Sequence, residues 1–140
     1  MRDKIMIINS IDEIDQIINN VLPYCNKNTA ILLDGDLGAG KTTFTKYLLK
    51  KLGVKQIVNS PTFVIMNQYQ CKDLTINHVD AYRLNKNEEV EMYLEQFFDA
   101  LNIIEWSNNL DINYEQHFKI IKISIKIIKE DIREFKVEVV

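Results

Sequence analysis

The chain has 140 residues, of which 46% are hydrophobic and 26% charged; this is enough apolar material for one domain with a real core, and it excludes a disordered chain. Its 17 basic and 20 acidic residues leave a formal net charge of −3, so the free chain is not expected to bind nucleic acid avidly and without specificity. Its two cysteines, Cys25 and Cys71, lack metal-type spacing and read as reduced thiols; no apolar run reaches membrane-spanning length, the opening MRDKIMIINS lacks a signal-peptide pattern, and a cytoplasmic location is expected.

In chain order, residues 4–8 read as a short strand. Ser10 is placed to cap a helix reaching about Leu22, because Ile11, Ile14, Ile17, Ile18, Val21 and Leu22 follow helical spacing. Residues 30–33 form a compact buried-strand signal. Residues 42–52 then read as a helix with Phe44, Tyr47, Leu48 and Leu52 inward, ended by Gly53. Residues 63–69 and 74–80 look like neighbouring strands joined near 71–73. Residues 87–98 suggest a helix with Val90, Leu94, Phe97 and Phe98 on one side, and residues 101–106 another strand. Towards the end, Ile121, Ile123, Ile125 and Ile127 alternate with Lys122, Ser124 and Lys126, and Phe135, Val137 and Val139 alternate with Lys136 and Glu138. That period of two around a turn near 130–132 predicts a hairpin whose lysines form a wet face. With no linker or internal repeat, the expectation is a single α/β domain over 1–140: a mixed sheet flanked by helices, with a C-terminal antiparallel hairpin.

The chemistry concentrates in GDLGAGKT, residues 35–42, which fits Gly, four residues, Gly-Lys-Thr. An apolar strand precedes it and an amphipathic helix follows, the context a phosphate-binding loop requires. Glycines let the backbone wrap a pyrophosphate, and main-chain N–H groups at a helix N-terminus point at its oxygens. Lys41 then supplies charge to the β- and γ-phosphates, and the Thr42 hydroxyl suits Mg²⁺. Such a loop usually works with an acid at the end of a neighbouring strand. Asp80, ending LTINHVD, and Glu105, ending LNIIE, both qualify, and the pattern does not rank them. In NSPTF, residues 59–63, Pro61 stiffens a segment carrying Ser60 and Thr62; it is either a plain turn or a switch whose Thr62 meets Mg²⁺ or the γ-phosphate. His78, with no His or Cys neighbour, reads as structural. Arg83 reads as a solvated cation or a phosphate or partner contact, and Trp106 as core or the rim of the site.

In order, GDLGAGKTTF, SPTF, HVDAYRL and IEWS resemble the TsaE (YjeE) family of small bacterial ATPases, over about Ser10 to Arg133. The resemblance implies a P-loop fold, slow Mg-dependent ATP hydrolysis, and a role in threonylcarbamoyladenosine modification of tRNA. It also implies docking onto the TsaB–TsaD pair, where TsaD carries the transferase chemistry, with tRNA met only indirectly. Carried over by residue, Asp36, Leu37, Gly38, Ala39, Gly40, Lys41, Thr42 and Thr43 would hold the phosphates of ATP, and Thr42 the magnesium. Glu105 would be the metal-side acid, Asp80 would position or activate water, and Thr62 would be the switch threonine. Arg133 would lie near the nucleotide, and Ser10 and Ile11 near the adenine. The sequence departs from the family at Tyr93, often Gly, at Asn108, often an acid, and at Ile14, where a threonine is usual. A small P-loop kinase acting on a metabolite or nucleotide is the competing reading; against it, no arginine lies between Arg2 and Arg83, and little length is left for a lid. A nonenzymatic nucleotide-sensing adaptor is the third.

Overall fold

The computed structural model describes residues 2–59, 61, 65–85 and 90–140. Among them, seven strands form one sheet: β1 (Arg2–Ile8), β2 (Thr29–Gly35), β3 (Met66–Cys71), β4 (Leu74–Asp80), β5 (Ala100–Glu105), β6 (Lys119–Lys129) and β7 (Ile132–Val139), in the spatial order β1-β7-β6-β2-β5-β4-β3. The central pairs β6–β2, β2–β5 and β5–β4 are parallel. Both flanks are antiparallel: β3 on β4 at one edge, and β7 on β6 with β1 on β7 at the other. This is the expected mixed sheet with its terminal hairpin. It carries a consequence the strand list alone did not: the carboxyl ends of four parallel strands open at one edge, the usual place for a ligand in such sheets.

Strand alternation sends Ile31, Leu33, Ile76, Leu101, Ile103, Ile121 and Ile123 to one face, against α1 (Asp15–Val21) and α2 (Lys41–Leu52). Ala30, Leu32, Val79, Ile104 and Ile120 go to the other, with Phe97 of α3 (Glu91–Phe97) and Tyr114 of the one-turn α4 (Tyr114–His117). Cys25 is a filler of the first core; burial pushes its thiol up to about 12, so it stays protonated and unreactive. No described helix is long and apolar enough to cross a membrane.

Several local expectations need correction. The first helix is broken: Ile11–Glu13 is a 3₁₀ turn, α1 follows, and Leu22–Tyr24, with Pro23 in it, is again 3₁₀. Ser10 makes no side-chain cap; instead the Glu13 carboxylate reaches back to accept the Asn9 N–H at 2.6 Å. Tyr47 does not face inward and is 40% exposed, because the buried stripe of α2 runs through Lys41, Phe44, Thr45, Leu48 and Leu49. Phe98 lies beyond α3 in extended backbone and is exposed. Of the expected strand at 63–69, Phe63 and Val64 lie outside the described residues, as do 87–89 of the expected third helix; β3 begins at Met66 and α3 at Glu91. Trp106 leaves β5 with φ 58°. Ile127 is exposed, since β6 has passed the end of β2 at the Gly35–Ile125 pair; its pairing with β7 shifts register just beyond, between Ile127 and Lys129.

One buried feature has no signature in hydropathy. Asn77 and Asn102, both fully buried, form an amide ladder across β4 and β5. The Asn77 Nδ2 group donates to Asn102 Oδ1 at 2.8 Å and to the Gln96 carbonyl at 2.7 Å, and Asn102 Nδ2 donates to the Phe97 carbonyl at 2.9 Å. The last carbonyls of α3 are satisfied by this ladder. Asn102→Ala is therefore expected to lower the unfolding free energy by about 1–3 kcal/mol, the usual effect of leaving a buried polar group unpaired. Urea denaturation measures it, and a variant as stable as the parent would contradict the assigned role.

Candidate nucleotide site

The loop between β2 and α2 has the shape its glycines require. Gly38 and Gly40 have φ of 81° and 113°, a left-handed backbone that side chains disfavour. At Gly35 a Cβ would stand 2.9 Å from the Ile125 carbonyl of β6, so only glycine lets the loop lie this close to the sheet. The Ala39 N–H donates to the Asp36 carbonyl at 3.0 Å and Ala39 is buried, which turns the loop; Phe44 N–H to Gly40 O at 2.9 Å starts the helix. Leu37 at the loop tip is 64% exposed.

Lys41 is 6% exposed, and two neighbours hold its ammonium group. It donates to the Gly35 carbonyl at 2.6 Å, and it lies 4.3 Å from the centre of the Trp106 ring. Trp106 thus lies at the rim of the site while packing against the second core, and it meets Tyr82 at a tilt of 54° with ring centres 5.0 Å apart. Thr42 and Thr43, both half-buried, open the helix beside Lys41.

The two acids lie on the α2 face of the sheet at one level: Asp80 pairs with Glu105 in register, and Glu105 with Leu33 of β2. Glu105 is therefore one strand from the phosphate loop and Asp80 two, a ranking that the sequence left open. Their surroundings differ. Glu105 is 3% exposed, and its carboxylate meets Nε2 of the fully buried His78 at 2.6 Å. His78 Nδ1 has no hydrogen-bond partner. A proton on Nε2 accounts for both facts, because a bare ring acceptor is easier to bury than an orphaned N–H. The reading of His78 as structural missed this carboxylate partner. The clue was its position two residues before Asp80, which sends both side chains to the same face. Asp80 is half-buried; its Oδ1 accepts the Tyr82 N–H at 3.0 Å, and its own N–H donates to the Ile65 carbonyl at 2.9 Å. Arg83 is exposed in the turn that follows.

Beside the loop is a pocket of about 370 Å³. Ser10 and Ile11 form one wall, Gly38, Ala39, Gly40 and Thr43 the floor, and Arg133 the far wall. Arg133 Nε donates to the Ala39 carbonyl at 3.2 Å, and its Nη1 donates to the Glu130 carbonyl. Residues 94 apart in sequence thus meet on the phosphate loop. Ile14 also lines this pocket while filling the core, so the apolar departure from threonine sits on a core wall. Lys41, Asp36, Trp106 and Asn108 line a second pocket of about 370 Å³, on the other flank of the loop. Tyr93 packs against the core on the α3 side, away from both. Thr62, with Ser60, lies outside the described residues; of the flanking residues, Ile65 is held to Asp80 by its carbonyl, and Asn59 to β3 by Asn67 Nδ2 donating to its carbonyl at 3.2 Å.

The residues present fit a magnesium nucleotide. The loop offers a glycine cradle whose floor a Cβ would obstruct, a buried ammonium group beside it, a helix N-terminus and two acids one and two strands away. Among the described residues no three His, Cys, Asp or Glu side chains converge as a ready metal cluster, and a Mg²⁺ held through a threonine, one acid, phosphates and water does not need one.

Comparison with known proteins places this geometry among relatives. A family model for threonylcarbamoyl adenosine biosynthesis protein TsaE matches residues 8–135. The chain is 36% identical over 113 residues to the tRNA threonylcarbamoyladenosine biosynthesis protein TsaE of Bacillus subtilis, covering 79% of this chain and 70% of that protein. It is 34% identical over 130 residues to the TsaE protein of Rickettsia bellii, covering 91% and 89%. In three dimensions it is similar to the crystal structure of Bacillus subtilis YdiB, with a TM-score of 0.76 and 27% identity, covering 99% of this chain and 86% of that one.

Proposed function

The chain belongs to the TsaE family of tRNA threonylcarbamoyladenosine biosynthesis, and on that premise we propose that it binds and slowly hydrolyses Mg-ATP and associates, in a nucleotide-dependent way, with the TsaB–TsaD pair. The observation that carries the reading is the 35–42 loop, with Lys41 at the start of α2 and Glu105 and Asp80 level with Leu33, just before the loop, at the ends of the next two parallel strands.

On this reading the main-chain N–H groups of Asp36 to Thr43 hold the phosphates, and Lys41 turns from the Gly35 carbonyl towards the β- and γ-oxygens. Mg²⁺ would offset charge on those oxygens. Thr42 and Glu105 would hold it, Glu105 being kept in place by His78. Asp80, the more exposed acid, orients the attacking water. Ser10, Ile11 and Arg133 close the base side. The Lys41–Trp106 and Trp106–Tyr82 contacts link the phosphate cation to the turn after Asp80, so the state of the nucleotide is felt at the surface.

Thr62 is the proposed γ-phosphate sensor. Thr62→Ala should retain much of the ATP affinity, which the 35–42 loop supplies, yet lose nucleotide-dependent docking. Binding to the TsaB–TsaD pair is measured with a nonhydrolysable ATP analogue, with ADP and without nucleotide. The parent chain should bind best with the analogue. Equal affinity in all three states would contradict the proposal, since a ligand that favours neither state shifts nothing.

A further inference from the structure

The formal charge of −3 hides a segregation. From residue 37 to residue 72 the chain has six lysines and neither Asp nor Glu, leaving −9 on the remainder. The fold gathers Lys50, Lys51 and Lys55 about the far end of α2, which is about 18 Å long, with Lys46 one turn nearer the phosphate loop. Lys46, Lys50 and Lys55 line an open pocket of about 660 Å³, and Lys51 is exposed in the same last turn. Among the described residues none of the four is in an ion pair. Lys50 and Lys51 suit the negative end of a helix. Lys46 gains nothing there and stands four residues from Lys50, a like-charge pair that disfavours the helix.

Apolar surface accompanies the charge. Ile57 is 83% exposed, more than any other large hydrophobic among the described residues, and Ile57, Val54 and Val58 line the same pocket. A phosphate backbone has no use for an exposed isoleucine, and among the described residues no aromatic side chain lines the pocket for a base to stack on. An apolar anchor rimmed by unpaired cations is instead the arrangement of a protein interface. We infer that the pocket at the end of α2 docks an acidic, partly apolar segment of a protein partner, with Lys46, Lys50 and Lys55 steering it and Ile57 anchoring it. Ile57 stands three residues before Ser60, so in sequence this surface directly precedes the segment proposed to sense the nucleotide. The inference deepens the proposed association with TsaB–TsaD and rests on it for the partner's identity, not for the chemistry of the surface.

The test uses Lys46→Glu/Lys50→Glu/Lys55→Glu and, separately, Ile57→Ser, with Mg-ATP affinity as the control. Charge reversal should slow association with TsaB–TsaD at least tenfold at low salt, with the difference shrinking towards 1 M salt; Ile57→Ser should mainly speed dissociation. ATP affinity should be unchanged in both. Parent-like association by both variants would overturn the inference while leaving the proposed function standing. A second arm titrates poly-L-glutamate and unmodified tRNA against the chain alone. Glutamate polymer bound by the parent and lost on charge reversal supports the inference even if TsaB–TsaD binds in no nucleotide state, which would defeat the proposed function instead. Lysine-dependent binding of tRNA without binding of the acidic polymer would overturn it in favour of RNA.

Discussion

Lys41→Ala is expected to weaken Mg-ATP binding more than tenfold and to abolish turnover at ordinary ATP concentrations. Lys41 is 6% exposed, and its ammonium group has two local neighbours, the Gly35 carbonyl and the Trp106 ring. Neither neutralises its charge, so the side chain remains available to an anion brought to the loop. A charge-assisted contact to phosphate contributes about 1.5–3 kcal/mol, which sets the loss in affinity. Calorimetry with Mg-ATP reads it directly. The fold should survive, because Lys41 belongs to neither apolar core and its two contacts lie at the strand ends, and a thermal melt checks this. Unchanged affinity in a folded variant would end the reading of the 35–42 loop as a phosphate site.

The second large effect separates the two acids. Asp80 is half-buried at its strand end, and Asp80→Asn keeps an oxygen to accept the Tyr82 N–H. Nucleotide affinity should stay within a few-fold, while hydrolysis falls about 10²-fold or more, the usual contribution of a positioned acid–base group. Glu105 must be tested as Glu105→Gln. Alanine would leave the buried His78 without its partner and mix a folding defect of about 1–3 kcal/mol into the result. Glutamine keeps an acceptor for His78 but removes the charge, so Mg²⁺ dependence and hydrolysis should weaken together. Equal, large binding defects in both variants would contradict this division of roles.

The strands and the phosphate loop were legible because they rest on local signals: period-two alternation, apolar runs, and glycines at fixed spacing. What was not legible depends on neighbours distant in sequence. Tyr47 satisfies helical spacing with Phe44, but α2 buries a stripe one position round, since Thr45 and Leu49 are drawn into the core. Ile127 keeps the alternation of β6 and is exposed because β2 ends two residues earlier in register. The Asn77–Asn102 ladder and the His78–Glu105 pair each join polar residues 25 and 27 apart, which no window of sequence brings together. The rank of Asp80 and Glu105 follows from strand order, β2-β5-β4, and strand order is a tertiary fact. Arg133, Ser10 and Ile11 came from resemblance alone, and the fold gathers them in one pocket on the phosphate loop.

The measurement that bears most directly on the account is threonylcarbamoyladenosine formation on unmodified tRNA over several turnovers, with TsaB, TsaD and the threonylcarbamoyl donor supplied. The parent chain with ATP should restore multiple turnover. Omitting the chain, or replacing it with the Lys41→Ala variant, should leave the reaction stalled. Modification that proceeds equally well without this chain, or with the Lys41→Ala variant in its place, would contradict the claim that it acts in this machinery through its phosphate loop.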